Sequence, residues 1–143
     1  MRNTDFQSLD LPERRTLAHR ELVERLQSRV LLLNGQDREL MEMYLDGALG
    51  IRRIARLVGA SPSTVTRRLR RIVLRLSDET YFRCVQYRWR FGDDELLVLR
   101  DHFLQGRSIM RISRSRRLSR YRIARAIRKA RRIARESCSA ISS

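Results

Sequence analysis

Lysine is nearly missing from this sequence. Lys129 stands alone beside 31 arginines, a skew that a general compositional bias toward arginine explains in part. Cysteine is scarce too. Cys84 and Cys138 lie far apart, with no CxxC pair and no Cys/His spacing suited to a metal site, so they read as one semi-buried thiol and one thiol in a loose tail. His19 and His102 are isolated and read as ordinary helix residues. No apolar run approaches the roughly 20 residues that cross a bilayer. The opening Met1-Arg2-Asn3-Thr4-Asp5 carries no signal-peptide pattern, and a reducing cytoplasm is the expected setting. Nor is there a Ser/His/Asp set, a phosphate-cradling glycine loop or a pair of catalytic acids. Asp93-Asp94-Glu95 reads as a helix start rather than a metal cluster. These absences point away from an enzyme and call for no cofactor or metal.

What remains is charge and helix pattern. The 143 residues suffice for one ordinary domain or two small ones, and the 42% apolar content suits a globular chain. The net charge of +16 implies a polyanionic partner. Its distribution is more informative than its total. Residues 51–76 carry 8 basic and no acidic side chains, and residues 107–143 carry 13 basic and 1 acidic. The intervening segments, 1–50 and 77–106, are each slightly acidic at net −2. Compositional bias scatters arginine evenly; two uncompensated blocks instead suggest two footprints for phosphate.

Read in order, the chain predicts helices throughout. Asp10-Leu11-Pro12-Glu13 forms a helix start, and Leu17, Leu22, Leu26, Val30 and Leu33 follow at helical spacing to a stop at Asn34-Gly35. A helix from about Gln36 to Asp46 buries Leu40, Met43, Tyr44 and Leu45 and stops at Gly47. Ile51, Ile54, Ala55 and Val58 give a short amphipathic helix ending at Gly59. Ser61 caps the next, Pro62 occupies the first turn, and Val65, Leu69, Ile72 and Leu76 form its apolar stripe.

Ser77-Asp78-Glu79-Thr80 caps a helix to about Arg90, serving as a connection over 78–92. If continuous, it spans roughly 20 Å at 1.5 Å per residue. Its aromatics Tyr81, Phe82, Tyr87, Trp89 and Phe91 are expected to pack in a core or between units. A helix through Leu96, Leu99, Phe103 and Leu104 then ends at Gly106, and residues from Ser137 onward read as a frayed tail.

The last third repeats the centre. Ile112, Ser119, Ile123 and Ile127 each fall 58 residues after Ile54, Ser61, Val65 and Leu69, while Gly106 follows Gly47 by 59. The second copy is degenerate, with Arg117 in place of the turn glycine, Ser113 in place of Ala55 and no proline after Ser119. The expected fold is all-α, with a helix-turn-helix unit over 36–77, a second over 93–136, and an N-terminal helix and leader over 1–35.

The stretch from Ile54 to Arg71 carries the chemistry. A small Ala55 and a Gly59 free to take positive φ permit a tight helix crossing. Val65 and Leu69 then fix the angle of the following helix, whose other faces can enter a DNA major groove. Hydroxyls near a helix N-terminus can bond phosphate, and arginine grips guanine or phosphate.

Asp37-Arg38-Glu39-Leu40, Tyr44-Leu45-Asp46-Gly47 and Ile54-Ala55 through Leu76 together resemble region four of bacterial sigma factors, above all the extracytoplasmic-function group, and less closely the LuxR-type motif. The resemblance covers about residues 36–76. It implies promoter reading by the last helix, docking on RNA polymerase, and contacts from Ser63, Thr64, Thr66, Arg67, Arg70 and Arg71, with Arg52, Arg53 and Arg56 facing backbone or a partner. Sigma factors also carry a region two. Only about 35 residues precede the motif here, so the resemblance implies a promoter-type reader rather than an initiation factor.

The second unit adds Arg120, Arg122, Arg125 and Arg128 on its arginine-rich helix as candidate DNA contacts. The expected function is that of a sequence-specific transcriptional regulator on double-stranded DNA. The rival expectations are a structured-RNA binder and an interaction module for RNA polymerase or another regulator.

Overall fold

The computed structural model describes residues 17–142. The expected helix start at Asp10–Glu13 lies outside them. Among the described residues the secondary structure is helical, with no strand. The chain divides into two compact units, Met1–Ser77 and Asp78–Ser143.

In the first unit, α1 (Leu17–Arg29) runs into a 3-10 turn at Val30–Leu32. It is followed by α2 (Gly35–Asp46), α3 (Ile51–Val58) and α4 (Pro62–Ser77). Leu26, Val30 and Leu33 meet Leu40, Met41, Tyr44, Ile51, Ile54, Ala55, Val65, Leu69, Ile72, Val73 and Leu76 in one core. Met41 takes a fully buried place, while Met43 and Leu45 pack at its edge. The backbone leaves α3 through Gly59, in the left-handed region at φ 70° and ψ 36°. Ser61 then caps α4, its Oγ accepting the Thr64 N–H at 3.2 Å. A proline at the first helical position loses no hydrogen bond.

Two buttresses hold α4. Asp37 on α2 receives Arg75 at 2.7 Å and Arg68 at 3.5 Å. From α1, Arg29 donates to the Leu76 carbonyl at 2.7 Å, satisfying an acceptor in the last turn of α4.

In the second unit the elements are α5 (Thr80–Gln86), a 3-10 turn at Arg88–Arg90, α6 (Asp93–Leu99), a π-helical turn at Arg100–Leu104, α7 (Ile109–Arg116) and α8 (Arg120–Ser142). Cys84, Phe91, Val98, Leu99, Phe103, Ile112, Ile123, Ala126, Ile127, Ala130 and Ile133 form its core.

Three expectations need correction here. The single connecting helix over 78–92 does not form. It ends at Gln86, and residues 87–91 close through Arg90 N–H to the Tyr87 carbonyl at 2.9 Å and Phe91 N–H to the Arg88 carbonyl at 3.1 Å. The reason lies in the run Tyr87-Arg88-Trp89-Arg90-Phe91. Its aromatics alternate every second residue, a period that cannot place them on one face of an α-helix. Phe91 turns inward, and Trp89 is left 73% exposed rather than packed.

The loose tail is likewise helical to Ser142, and Cys138 sits exposed on that helix. Ser137 is buried and its Oγ donates to the Ala134 carbonyl at 2.9 Å, so a polar residue is absorbed by back-bonding to the preceding turn. Cys84 is not semi-buried but wholly enclosed, its Sγ 3.5 Å from the Ala130 carbonyl.

The repeat is closer than the sequence suggests. Helix α7 spans Ile109–Arg116 and α3 spans Ile51–Val58, a displacement of 58 at both ends. Arg117 occupies the left-handed region at φ 54° and ψ 41°, as Gly59 does. Ser119 Oγ accepts the Arg122 N–H at 3.2 Å, repeating the Ser61 cap. Even the one-residue slip at Gly106 has a local cause. Gln105 N–H bonds to the Arg100 carbonyl, five residues back, so the π turn adds a residue to the helix. The connection to α7 is one residue shorter than its counterpart, running from Gly106 to the Ser108 cap instead of from Gly47 to Gly50, and the register returns to 58.

Candidate nucleic-acid interface

At 100° per residue, the buried side chains of α4 (Val65, Leu69, Ile72, Val73 and Leu76) define one side of the helix. Ser63, Arg67, Arg70 and Arg71 lie on the opposite side and are exposed. Arg68 and Arg75 flank the buried side and are held by Asp37. The first basic block thus separates into arginines that brace the helix and arginines that point away from it.

The hydroxyls are more committed than their sequence suggests. Thr64 Oγ1 lies 2.8 Å from Ser61 Oγ, and Arg67 donates to it at 3.4 Å. Thr66 Oγ1 donates to the Pro62 carbonyl at 3.0 Å. A hydroxyl has one proton to donate and phosphate only accepts, so the Thr66 donor is directed inward. Ser63 keeps an exposed hydroxyl, 3.3 Å from Ser61 Oγ. Leu74, which sequence reasoning passed over, is exposed beside Arg67, Arg70 and Arg71 on the same side. On α3, Arg52, Arg53 and Arg56 are all exposed.

In the second unit α8 makes the same division over a greater length. Ile123, Ala126, Ile127, Ala130, Ile133 and Ala134 are buried. Arg125, Arg128, Arg132 and Arg135 opposite them, with Arg122, Lys129 and Arg131 at the flanks, line an open groove of about 780 Å³ that contains one carboxylate, Glu95. From Arg120 to Arg135 the basic side extends about 22 Å along the axis at 1.5 Å per residue.

Of the four candidates on this helix, Arg122, Arg125 and Arg128 line the groove; Arg120 is exposed at the first helical position but does not line it. Lys129, Arg131, Arg132 and Arg135 belong to the groove and were missed, although Lys129, Arg131 and Arg132 stand three or four residues from Arg125 or Arg128 and Arg135 three from Arg132. Tyr121, exposed beside Arg120 and Arg122, was missed as well. It falls 58 residues after Ser63, so the repeat itself would have found it.

Anchors again separate from presented charges. Lys129 reaches Glu95 at 3.1 Å and sits 4.8 Å from the centre of the Phe91 ring. Burial opposes ionisation of Glu95, but the Gly92 N–H, the Lys129 hydrogen bond and the charges of Lys129 and Arg125 outweigh it and hold the carboxyl below its ordinary pKa. Arg131 packs over the Phe103 ring at 5.4 Å. Asp101, buried behind α7, accepts both Arg116 Nε and a second Arg116 N–H at 3.2 Å, with Arg107 3.6 Å away. That hydrogen bond to Asp101, working against desolvation, raises the Arg116 pKa above its already high ordinary value. Arg120, Arg128 and Arg135 make no ion pair among the described residues.

The turn before α8 is closed by a substitution. In the first unit the Ala60 N–H bonds the Ala55 carbonyl at 3.0 Å. At the equivalent place Ser113 Oγ donates to the Leu118 carbonyl at 2.6 Å. A side-chain hydroxyl therefore ties the second turn where the first uses backbone.

Among the described residues no three His, Cys, Asp or Glu side chains gather as a metal cluster, and no helix is long and apolar enough to cross a membrane. The architecture defines an all-α protein with two arginine-faced helices, each preceded by a short helix and a left-handed turn. Compared with protein families, characterised proteins and solved structures, the chain matches none.

Proposed function

We propose that this chain is a sequence-specific, double-stranded-DNA-binding transcriptional regulator built from two helix-turn-helix units. The observation that carries the reading is the division of arginines on α4 and α8. Arg68, Arg75 and Lys129 bind carboxylates on neighbouring helices, while Arg67, Arg71, Arg120, Arg128 and Arg135 are exposed to solvent. A merely soluble surface mixes charges of both signs. The α8 groove has seven cationic residues to one carboxylate.

The two units have different tasks in this reading. Helix α4, with Ser63, Arg67, Arg70 and Arg71 in its first half, enters the major groove and reads bases, as the resemblance to sigma region four implies. Helix α8 follows phosphates and supplies affinity with less sequence information. The chemistry is recognition and not catalysis, and it needs no metal or cofactor.

Anisotropy titration of a labelled duplex across a range of salt concentrations tests the reading. Binding that neutralises four or more phosphates has log K falling with log salt at a slope of about −3.6 or steeper, since each contributes about −0.9. A slope near zero would overturn it.

A second reading has its own observation. Leu57 and Val58 are exposed on α3 and, with Leu40 and Met43, line a groove of about 370 Å³ in the first unit. Exposed apolar side chains over such a groove suit a protein partner, and the resemblance implies RNA polymerase. Co-purification with polymerase that is lost in Leu57→Glu supports this reading; unchanged recovery sinks it.

A further inference from the structure

Trp89 is the chain's one tryptophan, and it is 73% exposed. A tryptophan buried on folding stabilises a small domain substantially, so leaving it outside is a loss in stability. It is also held in place. The 3-10 turn at Arg88–Arg90 is anchored by the half-buried Tyr87, whose N–H bonds the Cys84 carbonyl at 3.0 Å, and by the buried Phe91. The Tyr87 ring lies 5.3 Å from the indole, tilted by 56°. The indole is therefore supported on one side and projected by a closed turn.

The surroundings say what suits its open side. Arg88 and Arg90 flank it, both exposed, and Arg88 makes no ion pair among the described residues. Arg90 reaches Glu136 at 3.4 Å, and the same carboxylate lies 3.9 Å from Arg132, a residue of the α8 groove. The tryptophan turn therefore adjoins the basic groove. An apolar protein partner would not want a guanidinium on either side of its anchor. A strand of nucleic acid does, because its phosphates pair with arginine while its bases stack on aromatic rings. Bases inside a duplex have no open face, so the occupant must be unpaired.

We infer that Trp89 is a stacking site for an unpaired base on a nucleic-acid strand whose phosphates lie along the α8 groove. This rests on the nucleic-acid reading of that groove and adds a ligand class to it, single-stranded or locally opened DNA.

Because Trp89 is the sole tryptophan, emission excited to the red of the tyrosine band reports on this site alone. The probes are an oligothymidylate of about 12 nucleotides, within the usual site size, and a blunt duplex of equal length, each end-labelled so that anisotropy measures binding separately. The expected result is quenching of Trp89 by the strand. Trp89→Ala should weaken strand binding roughly 5- to 150-fold, the value of one stacked base. It should change duplex binding less than about twofold, and Trp89→Phe should retain most strand affinity.

Strand binding with unchanged emission, or with equal affinity in Trp89→Ala, overturns the inference. So does a blue shift with anionic lipid vesicles and none with the strand, which assigns the ring to a lipid surface. If the duplex binds and the strand does not, only this inference falls. If neither binds, the nucleic-acid reading falls with it.

Discussion

Gly59 and Arg117 hold nearly the same left-handed backbone conformation, φ 70° and ψ 36° against φ 54° and ψ 41°, at corresponding places in the two units. Among the described residues Arg117 is the one non-glycine with positive φ. For an L-residue that conformation costs roughly 1–2 kcal/mol. A Cβ placed on Gly59 meets nothing within 4 Å, so its requirement is conformational and not steric. Gly59→Ala should therefore destabilise the first unit by about 1 kcal/mol. Arg117→Gly should stabilise the second by about 0.5–1 kcal/mol, the strain relieved less the added freedom of the unfolded chain. Urea denaturation followed by circular dichroism measures both. A loss of stability in Arg117→Gly would show that the arginine side chain, not the turn, sets the value there.

Asp101 is a buried carboxylate held by Arg116, with Arg107 close by. Removing one partner of such a pair costs more than removing both, because the remaining charge stays desolvated. Arg116→Met should lose about 3 kcal/mol, and Asp101→Asn combined with it should lose less than the sum of the single changes. Additive single and double variants would show that the pair contributes no coupling.

Burial, aided by the charge of Asp78, pushes the Cys84 thiol up to about 11. A raised pKa in the folded state means that folding favours the neutral thiol. Its contribution is complete below the unfolded value near 9 and is lost as pH climbs toward about 11. Thermal stability should thus decline between pH 9 and 11, and the decline should be shallower in Cys84→Ala, itself less stable at neutral pH. Thiol labelling of the native chain should modify the exposed Cys138 quickly and Cys84 only as the second unit opens. Equal labelling rates would contradict the burial.

Helices with one apolar stripe were legible from spacing alone. Val65, Leu69, Ile72 and Leu76 are buried as their intervals of three and four require, and the Ser61-Pro62 start is where cap chemistry places it. Less legible were features whose cause is tertiary. The alternating aromatics of 87–91 were absorbed into a helical pattern that they do not follow, which hid both the broken helix and the exposed Trp89. Polar composition made Ser137 look like tail, though its hydroxyl is satisfied within the helix and its position is buried. On the candidate interface, sequence located the arginine-rich helices but could not tell presented arginines from braces. That distinction depends on Asp37 and Glu95, which lie on other helices.

The most direct test is selection of bound duplexes from a random pool by the native chain, by Arg67→Ala/Arg70→Ala, and by Arg128→Ala/Arg132→Ala. Native protein should enrich at least one defined motif. The α4 double variant should lose that motif while retaining weak, sequence-independent binding, since each bidentate arginine contact contributes about 1–3 kcal/mol of discrimination. The α8 variant should keep the motif and bind all duplexes more weakly, with a salt slope reduced by about 2. No enriched motif from the native chain, or an identical motif and affinity from all three proteins, would contradict the assignment of α4 as reader and α8 as backbone clamp.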